Sequence, residues 1–383
     1  MNISQNPSTT ELPRPPVSEN NINALHEYGE MVLDDYESFK RNFMEWLLNE
    51  GKDLYRRKGF AESTVEHTHY KVDEAYRWKW NQTGEYTKEF TPEEATELID
   101  FMMKKTDHPD RYIYGFEKSI RRLFKYFRNE MNQDVGEWEH DIPVEQNSGN
   151  DAKIKNRFYP QEMNALYEAT LNDNSIKSYY NKSMTTEERD SLKRYIAQKL
   201  GIPKAEVGPD HFKLASSWKL PSIIAVTCDT GLRPIEVGRA KVSWFDLDNH
   251  EMVVPLEEST KNKQQWNCKL TKKTLNAVRN WIQERNSYEK YQSTDGMWRT
   301  RHGNRYGSSS LNKTLNKYME KVGIEQQHRK LSWYSFRHGA ATLWAEQEDI
   351  YFAKEQLRHK NIDTTLQYTN NSGTTERHPD SQW

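Results

Sequence analysis

The sequence is poor in cysteine, has no long apolar run and carries almost no net charge. Its two cysteines, Cys228 and Cys268, cannot form a disulfide framework and lack the spacing of a metal site, so a reducing cytoplasm is the expected compartment. No apolar run approaches the roughly 20 residues of a membrane helix, and the N-terminus lacks a signal-peptide core. We therefore expect a soluble intracellular protein with no membrane partner.

The net charge of −2 says little about partners, because it is the sum of 55 basic and 57 acidic residues. The distribution of charge decides whether a surface attracts a polyanion. Apolar residues make up 34% of the chain, with 21 tyrosines and 12 tryptophans, which is enough for a packed core. The 383 residues exceed the roughly 250 that a single core commonly holds. We therefore predict two domains.

Composition and periodicity divide the chain into segments. We expect a disordered arm at 1–22, a helical domain at 27–135, a linker at 136–156, a second domain at 157–370 with an inserted segment at 172–213, and a polar tail at 371–383. Thr91, Pro92 and Glu94 form a typical helix start. The clearest exception to helical periodicity is a β-hairpin with arms at 252–256 and 265–270. The predicted fold class is mainly α with a small β-hairpin or sheet (α+β).

Two arginines stand in unusual surroundings. Arg233, in TGLRPIEV, follows a glycine turn, and Glu236 lies three residues later, on the same face of a helix. Arg337, in YSFRHGAAT, is flanked by aromatic and small residues. Each has a structural alternative, which is a helix-start ion pair for Arg233 and a partly buried structural arginine for Arg337.

A basic segment and two further polar residues accompany these arginines. Residues 259–279 contain six basic and no acidic residues. Hairpin-tip lysines are usually solvated, but an all-basic finger beside two unusual arginines indicates a phosphate-binding track. His359 and Tyr368 lie in LRHKNIDTTLQYT near the C-terminus. Their alternatives are a helix C-terminal cap and an amphipathic core residue, respectively.

Together these side chains can break a phosphodiester bond. Two guanidiniums can bind the non-bridging oxygens, and a hairpin lysine can protonate the leaving 5′ oxygen. A tyrosine can attack the phosphorus and keep the phosphate as an ester. The sequence has no Asp/Glu/His metal cluster and no glycine-rich phosphate loop. We therefore expect a reaction that needs no metal and no cofactor.

The chain resembles the tyrosine recombinases of the phage-integrase family. The resemblance rests on TGLRPIE, YSFRHGAAT and LRHKNIDTTLQYT, which follow one another with separations that suit the family, and it extends weakly to the helical domain. It implies a helical core-binding domain followed by an integrase-type catalytic domain. The catalytic residues it implies are Arg233, Lys261, Tyr334, Arg337, His359 and Tyr368, with Glu236 in support.

At two positions the match to the family pattern is incomplete or ambiguous. The family usually has histidine where this chain has Tyr334, and a tyrosine can hydrogen-bond a phosphate but cannot take up a proton near neutral pH. Packing of Tyr334 with Trp333 and Phe336 is the structural alternative. Lys261 fits the general acid better because it is the first lysine after the predicted strand, whereas Lys263 is the other candidate.

The resemblance implies double-stranded DNA as the partner, held by a tetramer, with accessory DNA-bending proteins as further candidates. The phosphate contacts are expected from the basic residues Lys118, Arg121, Arg122, Lys125, Arg128, Lys263 and Lys269. The implied function is site-specific DNA recombination by an integrase of a mobile element. Two alternatives are a type IB topoisomerase-like enzyme that only relaxes DNA and a non-catalytic DNA-binding protein of the same fold.

The first prediction concerns Tyr368 as the nucleophile. Tyr368→Phe removes the attacking oxygen and little else, so the variant should bind DNA normally and form no covalent protein–DNA adduct. The measurement is trapping on a nicked duplex followed by peptide mapping. Recovery of the DNA adduct on Tyr334 or Tyr351 would contradict the assignment.

Overall fold

The computed structural model describes residues 11–144, 156–173, 176–259, 265–326 and 328–366. The chain divides into two units, Met1–Ser148 and Gly149–Trp383. No helix in these described ranges is long and apolar enough to cross a membrane.

The first unit is helical in the residues that the structure describes. Its helices are α1 (Glu19–His26), α2 (Glu30–Asn49), α3 (Glu62–Thr83), α4 (Pro92–Lys105) and α5 (Asp110–Asn129). Helix α4 begins as the sequence predicts, because Thr91 Oγ1 accepts a hydrogen bond from Glu94 N and Glu94 Oε2 accepts one from Thr91 N. Helix α5 packs against α3 and buries Phe116 and Leu123 in the core.

The predicted arm at 1–22 differs from the structure where it is described. Val17 is buried, and α1 begins at Glu19. Ser18 N donates to Asp73 Oδ2 over 2.8 Å, and Asn21 Nδ2 donates to the Asp73 carbonyl over 2.9 Å. Partners more than 50 residues away therefore hold this polar stretch, which local composition could not indicate.

The predicted linker at 136–156 also begins later than expected. Trp138 is buried and donates from Nε1 to Thr96 Oγ1 over 3.0 Å. Its carbonyl accepts a hydrogen bond from Arg121 Nη1 over 2.6 Å. Residues 136–144 thus pack on the first unit, and residues 145–155 lie outside the described part of the chain.

The second unit combines ten helices of the described chain with a small sheet. The helices are α6 (Pro160–Asp173), α7 (Thr186–Leu200), α8 (Pro209–Leu214), α9 (Lys219–Thr230), α10 (Pro234–Arg239), α11 (Lys272–Arg285), α12 (Ser308–Val322), α13 (Tyr334–Gln347), α14 (Ile350–Gln356) and α15 (Asp363–Leu366). The strands are β1 (Phe245–Asp246), β2 (Glu251–Val254) and β3 (Trp266–Lys269), antiparallel in the order β1-β2-β3. The mainly α fold with a small sheet is therefore confirmed.

The hairpin formed by β2 and β3 confirms the sequence prediction, with Met252 paired to Cys268. Its tip, residues 260–264, lies outside the described chain. The predicted insertion at 172–213 contains α7, whose Leu192 and Ile196 are buried in the core of this unit. Helix α9 is the central element, because every residue from Pro221 to Thr230 is buried.

The second prediction concerns the buried ion pair of the first unit. Lys40 Nζ lies 2.6 Å from Asp73 Oδ1, and both side chains are shielded from water. Removing the negative charge in Asp73→Asn leaves the ammonium buried without its counter-charge, which typically costs about 3–5 kcal/mol. Denaturant unfolding of the full chain should show this loss. The matched control is Asp100→Asn, which breaks the exposed pair with Lys104 and should leave the unfolding curve unchanged.

Candidate active site

A glycine brings the predicted site residues together. Helix α9 is followed directly by Gly231, whose φ of 57° is left-handed. A Cβ at this position would lie 2.4 Å from Leu357 Cδ2 and 3.1 Å from Arg337 Cγ. Glycine suits this left-handed backbone and lets the end of α9 approach both segments without displacing their side chains.

Arg233 caps the start of α10, directly after this turn. The structure contains the ion pair that the i, i+3 spacing predicts, with Arg233 Nη1 3.1 Å from Glu236 Oε1. Glu236 Oε2 accepts a second hydrogen bond from the Arg233 main-chain N over 2.7 Å. The Nε atom of Arg233 is buried and has no hydrogen-bond partner among the described residues. This arginine is therefore held in position by Glu236.

Arg337 lies on the first turn of α13 and is 1% exposed. Its Nη1 donates to the Gly231 carbonyl over 2.7 Å, and its Nη2 donates to the Leu357 carbonyl. Its Nε has no partner within the described parts of the chain. Burial and the neighbouring charges of Arg233 and Arg358 lower the pKa of Arg337 to about 10, so the guanidinium stays charged at neutral pH.

His359 follows α14 and is buried close to both arginines. Its Nδ1 lies 2.9 Å from Thr365 Oγ1, in α15. Burial first, and then the charges of Arg337, Arg233 and Arg358, lower the pKa of His359 to about 3. The ring is therefore neutral at physiological pH and acts as a hydrogen-bonding group instead of a cation.

Arg358 was missed by the sequence analysis. It is 3% exposed, and its Nη2 donates to Glu236 Oε2 over 3.0 Å. Burial alone would raise the pKa of Glu236, but the charges of Arg358 and Arg233 outweigh it and lower that pKa to about 2. The available signal was LRHKN, in which an arginine directly precedes the predicted histidine.

Tyr334 begins α13 and is 37% exposed, whereas Trp333 and Phe336 are buried. The Tyr334 ring meets the His338 ring edge-on, with 5.0 Å between their centroids. The structure therefore separates Tyr334 from the core pair with which it was predicted, as an alternative, to pack. Tyr334, which carries this hydroxyl, is accessible to a ligand.

Three predicted residues, Lys261, Lys263 and Tyr368, lie outside the described residues. Gln356, which the sequence analysis also missed, joins the hairpin to the segment that carries His359. Its Oε1 accepts from Lys269 N over 2.9 Å, and its Nε2 donates to the carbonyls of Lys269 and Asp229 over 2.7 and 3.0 Å. Lys269, a predicted phosphate contact, is itself paired with Glu251.

Most of the predicted DNA-binding cations on α5 hold the main chain of their own unit. Arg121 donates to Trp138, Lys125 to Gly51, and Arg128 to Val135 and Gly136. Arg122 donates to the Thr68 hydroxyl, and burial lowers the pKa of its guanidinium. Lys118 is exposed, with its ammonium 3.9 Å from the centre of the Tyr114 ring. These contacts give four of the five a structural role that sequence alone did not reveal.

The sequence of this region is similar to that of known proteins. Residues 212–374 match the model of the phage integrase family. This match lies within the second unit. The match includes every residue predicted as catalytic, from Arg233 to Tyr368.

Relatives and solved structures of similar fold carry integrase and recombinase names. A probable integrase/recombinase protein of Methanocaldococcus jannaschii is 28% identical over 158 residues, which are 40% of this chain and 46% of the relative. The match thus spans about half of the relative's length.

Two solved structures resemble the chain over most of its length. The XerH site-specific recombinase bound to a palindromic difH substrate has a TM-score of 0.56 at 14% identity, covering 94% of this chain and 87% of that one. A lambda integrase dimer bound to a core site has a TM-score of 0.50 at 13% identity, covering 87% and 97%. At these identities the likeness shows that the fold is shared.

The third prediction follows from the low pKa of His359. Below about pH 6.5 an unfolded chain protonates this histidine, whereas the folded chain does so only near pH 3. The unfolded state therefore binds more protons as the pH falls, and stability decreases by up to about 1.4 kcal/mol per pH unit from this group. His359→Gln should have a shallower loss of stability between roughly pH 6.5 and pH 5. Identical pH dependence in denaturant titrations of the two proteins would contradict the burial of a neutral ring.

Proposed function

We propose that this chain is a site-specific DNA recombinase that cleaves and rejoins DNA strands through a 3′-phosphotyrosine intermediate. The observation that carries the proposal is the meeting of Arg233, Arg337 and His359 from three separate segments. Two fixed guanidiniums and a neutral imidazole are suited to one phosphate with two non-bridging oxygens.

The proposed reaction conserves the energy of the phosphodiester. The Tyr368 oxygen forms a bond to phosphorus and releases its proton to solvent, while the bond from phosphorus to the 5′ oxygen breaks and that oxygen gains a proton from Lys261. Rejoining reverses these steps with a 5′ hydroxyl as the nucleophile. Arg233 and Arg337 stabilise the phosphorane, Tyr334 supplies a hydroxyl to the phosphate, and Lys263 is the alternative acid.

Fixed guanidiniums favour this reaction over simple phosphate binding. The donors of Arg337 are held by main-chain carbonyls, so the group does not have to reorganise as charge develops on the phosphate. Structures of XerH and lambda integrase have been determined with DNA bound, which supports double-stranded DNA as the partner here. We further propose a tetramer on DNA, accessory DNA-bending proteins, a cytoplasmic location and origin in a mobile element.

Two assays separate the proposal from its alternatives. Duplexes taken from the junctions beside the gene, nicked so that the cleaved end diffuses away, should trap a covalent adduct with the wild-type chain. Absence of the adduct despite binding would favour a non-catalytic DNA-binding protein. Strand exchange between two such duplexes distinguishes a recombinase from an enzyme that only relaxes DNA.

The fourth prediction concerns Arg337, whose two terminal nitrogens are both engaged. Arg337→Lys supplies one ammonium in place of a planar fork, so it cannot hold both carbonyls and face a phosphate. Single-turnover cleavage should fall roughly 100- to 1,000-fold, with much less change in DNA affinity. Arg285→Lys is the matched control, because Arg285 is also buried but binds the carbonyls of Thr294 and Gly296. Equal losses of binding and cleavage would indicate a simple phosphate-binding role.

A further inference from the structure

We propose that Arg358 is a positioning residue that holds Glu236 against Arg233 and sets the net charge of the site to suit the transition state of strand cleavage. This inference rests on the proposed function. It assigns a role to a third arginine, beside the two that the sequence motifs identify.

The contacts of Arg358 connect it to both other arginines. Its Nη2 donates to Glu236 Oε2, while Arg233 Nη1 uses the other oxygen, Glu236 Oε1. The same Nη2 lies 3.5 Å from the carbonyl of Thr230, one residue before the Gly231 carbonyl that Arg337 binds. Arg358 thus shares the carboxylate of Glu236, so that Arg233 is not the sole cation drawn to it.

The backbone conformation of Arg358 is unusual for an arginine. Its φ is 59°, in the left-handed region where glycine is the favoured residue at a helix end. Its main-chain N donates to the Glu355 carbonyl over 3.0 Å, as expected where α14 terminates. An arginine is less favourable than glycine at this φ, and we therefore infer that its guanidinium has a role in the site.

That contribution is charge. Arg233, Arg337 and Arg358 carry three positive charges and Glu236 carries one negative charge, which gives +2 while His359 is neutral. A phosphodiester carries −1, whereas a phosphorane with two non-bridging oxygens carries −2. A site of +2 therefore stabilises the phosphorane more than the bound substrate, and a site of +1 would do so by a smaller margin.

The main experiment uses Arg358→Gly, which removes the guanidinium and suits the left-handed backbone. Single-turnover cleavage of the nicked duplex should fall roughly 10- to 150-fold, as expected for the loss of a bond to a charged group, and the Kd for DNA should change much less. Arg358→Lys keeps the charge and should recover part of the rate. Wild-type cleavage by Arg358→Gly would overturn the inference.

A second substrate separates charge from folding. Replacing one non-bridging oxygen of the scissile phosphate with a methyl group lowers the charge of the phosphorane to −1. On this methylphosphonate the ratio of kcat/KM between wild type and Arg358→Gly should be clearly smaller than on the natural diester, because kcat/KM compares the transition state with free substrate and this phosphorane carries half the charge. An unchanged ratio would mean that Arg358 acts only on structure, which would also overturn the inference.

The controls distinguish the inference from the function on which it rests. Arg285→Gln removes a buried arginine of the same unit and should show equal relative rates on both substrates. No adduct with the wild-type chain would overturn the proposed function and this inference together. An adduct with the wild type that forms equally fast in Arg358→Gly would overturn the inference alone.

Discussion

The carboxylate of Glu236 lies between the guanidiniums of Arg233 and Arg358, and the charge of Arg337 also favours its ionised form. Two buried cations and the partly buried Arg233 could not lie this close together without such a counter-charge, because a desolvated charge needs a partner or several hydrogen bonds. Main-chain carbonyls at the ends of α9 and α14 supply the remaining acceptors. The positions of those helix ends are therefore as important to the site as the charged side chains themselves.

Short sequence motifs were enough to predict those contacts of the site that join residues close together in the sequence. The pairing of Arg233 with Glu236 depends on three residues of sequence and could be predicted from helical spacing. The helix start at Thr91 and the hairpin of β2 and β3 are local in the same sense. Helical periodicity and this hairpin were enough to give the fold class.

Features that depend on distant partners could not be predicted. Arg358 contacts a carboxylate 122 residues away, and nothing in its own neighbourhood indicates that partner. Arg121 and Lys125 looked like a free basic face until the structure supplied carbonyls from Trp138 and Gly51. The same reason explains the misjudged N-terminal arm, since Ser18 and Asn21 are held by Asp73 in a different helix.

The side chain of Gln356 also affects the sheet as a whole. Strand β3 is an edge of the three-stranded sheet, and such edges expose main-chain groups that can pair with another chain. The amide of Gln356 bonds both the N–H and the C=O of Lys269, much as the peptide group of a fourth strand would. At this point the edge is closed by a single side chain. This end of β3 is therefore not available as a template for aggregation.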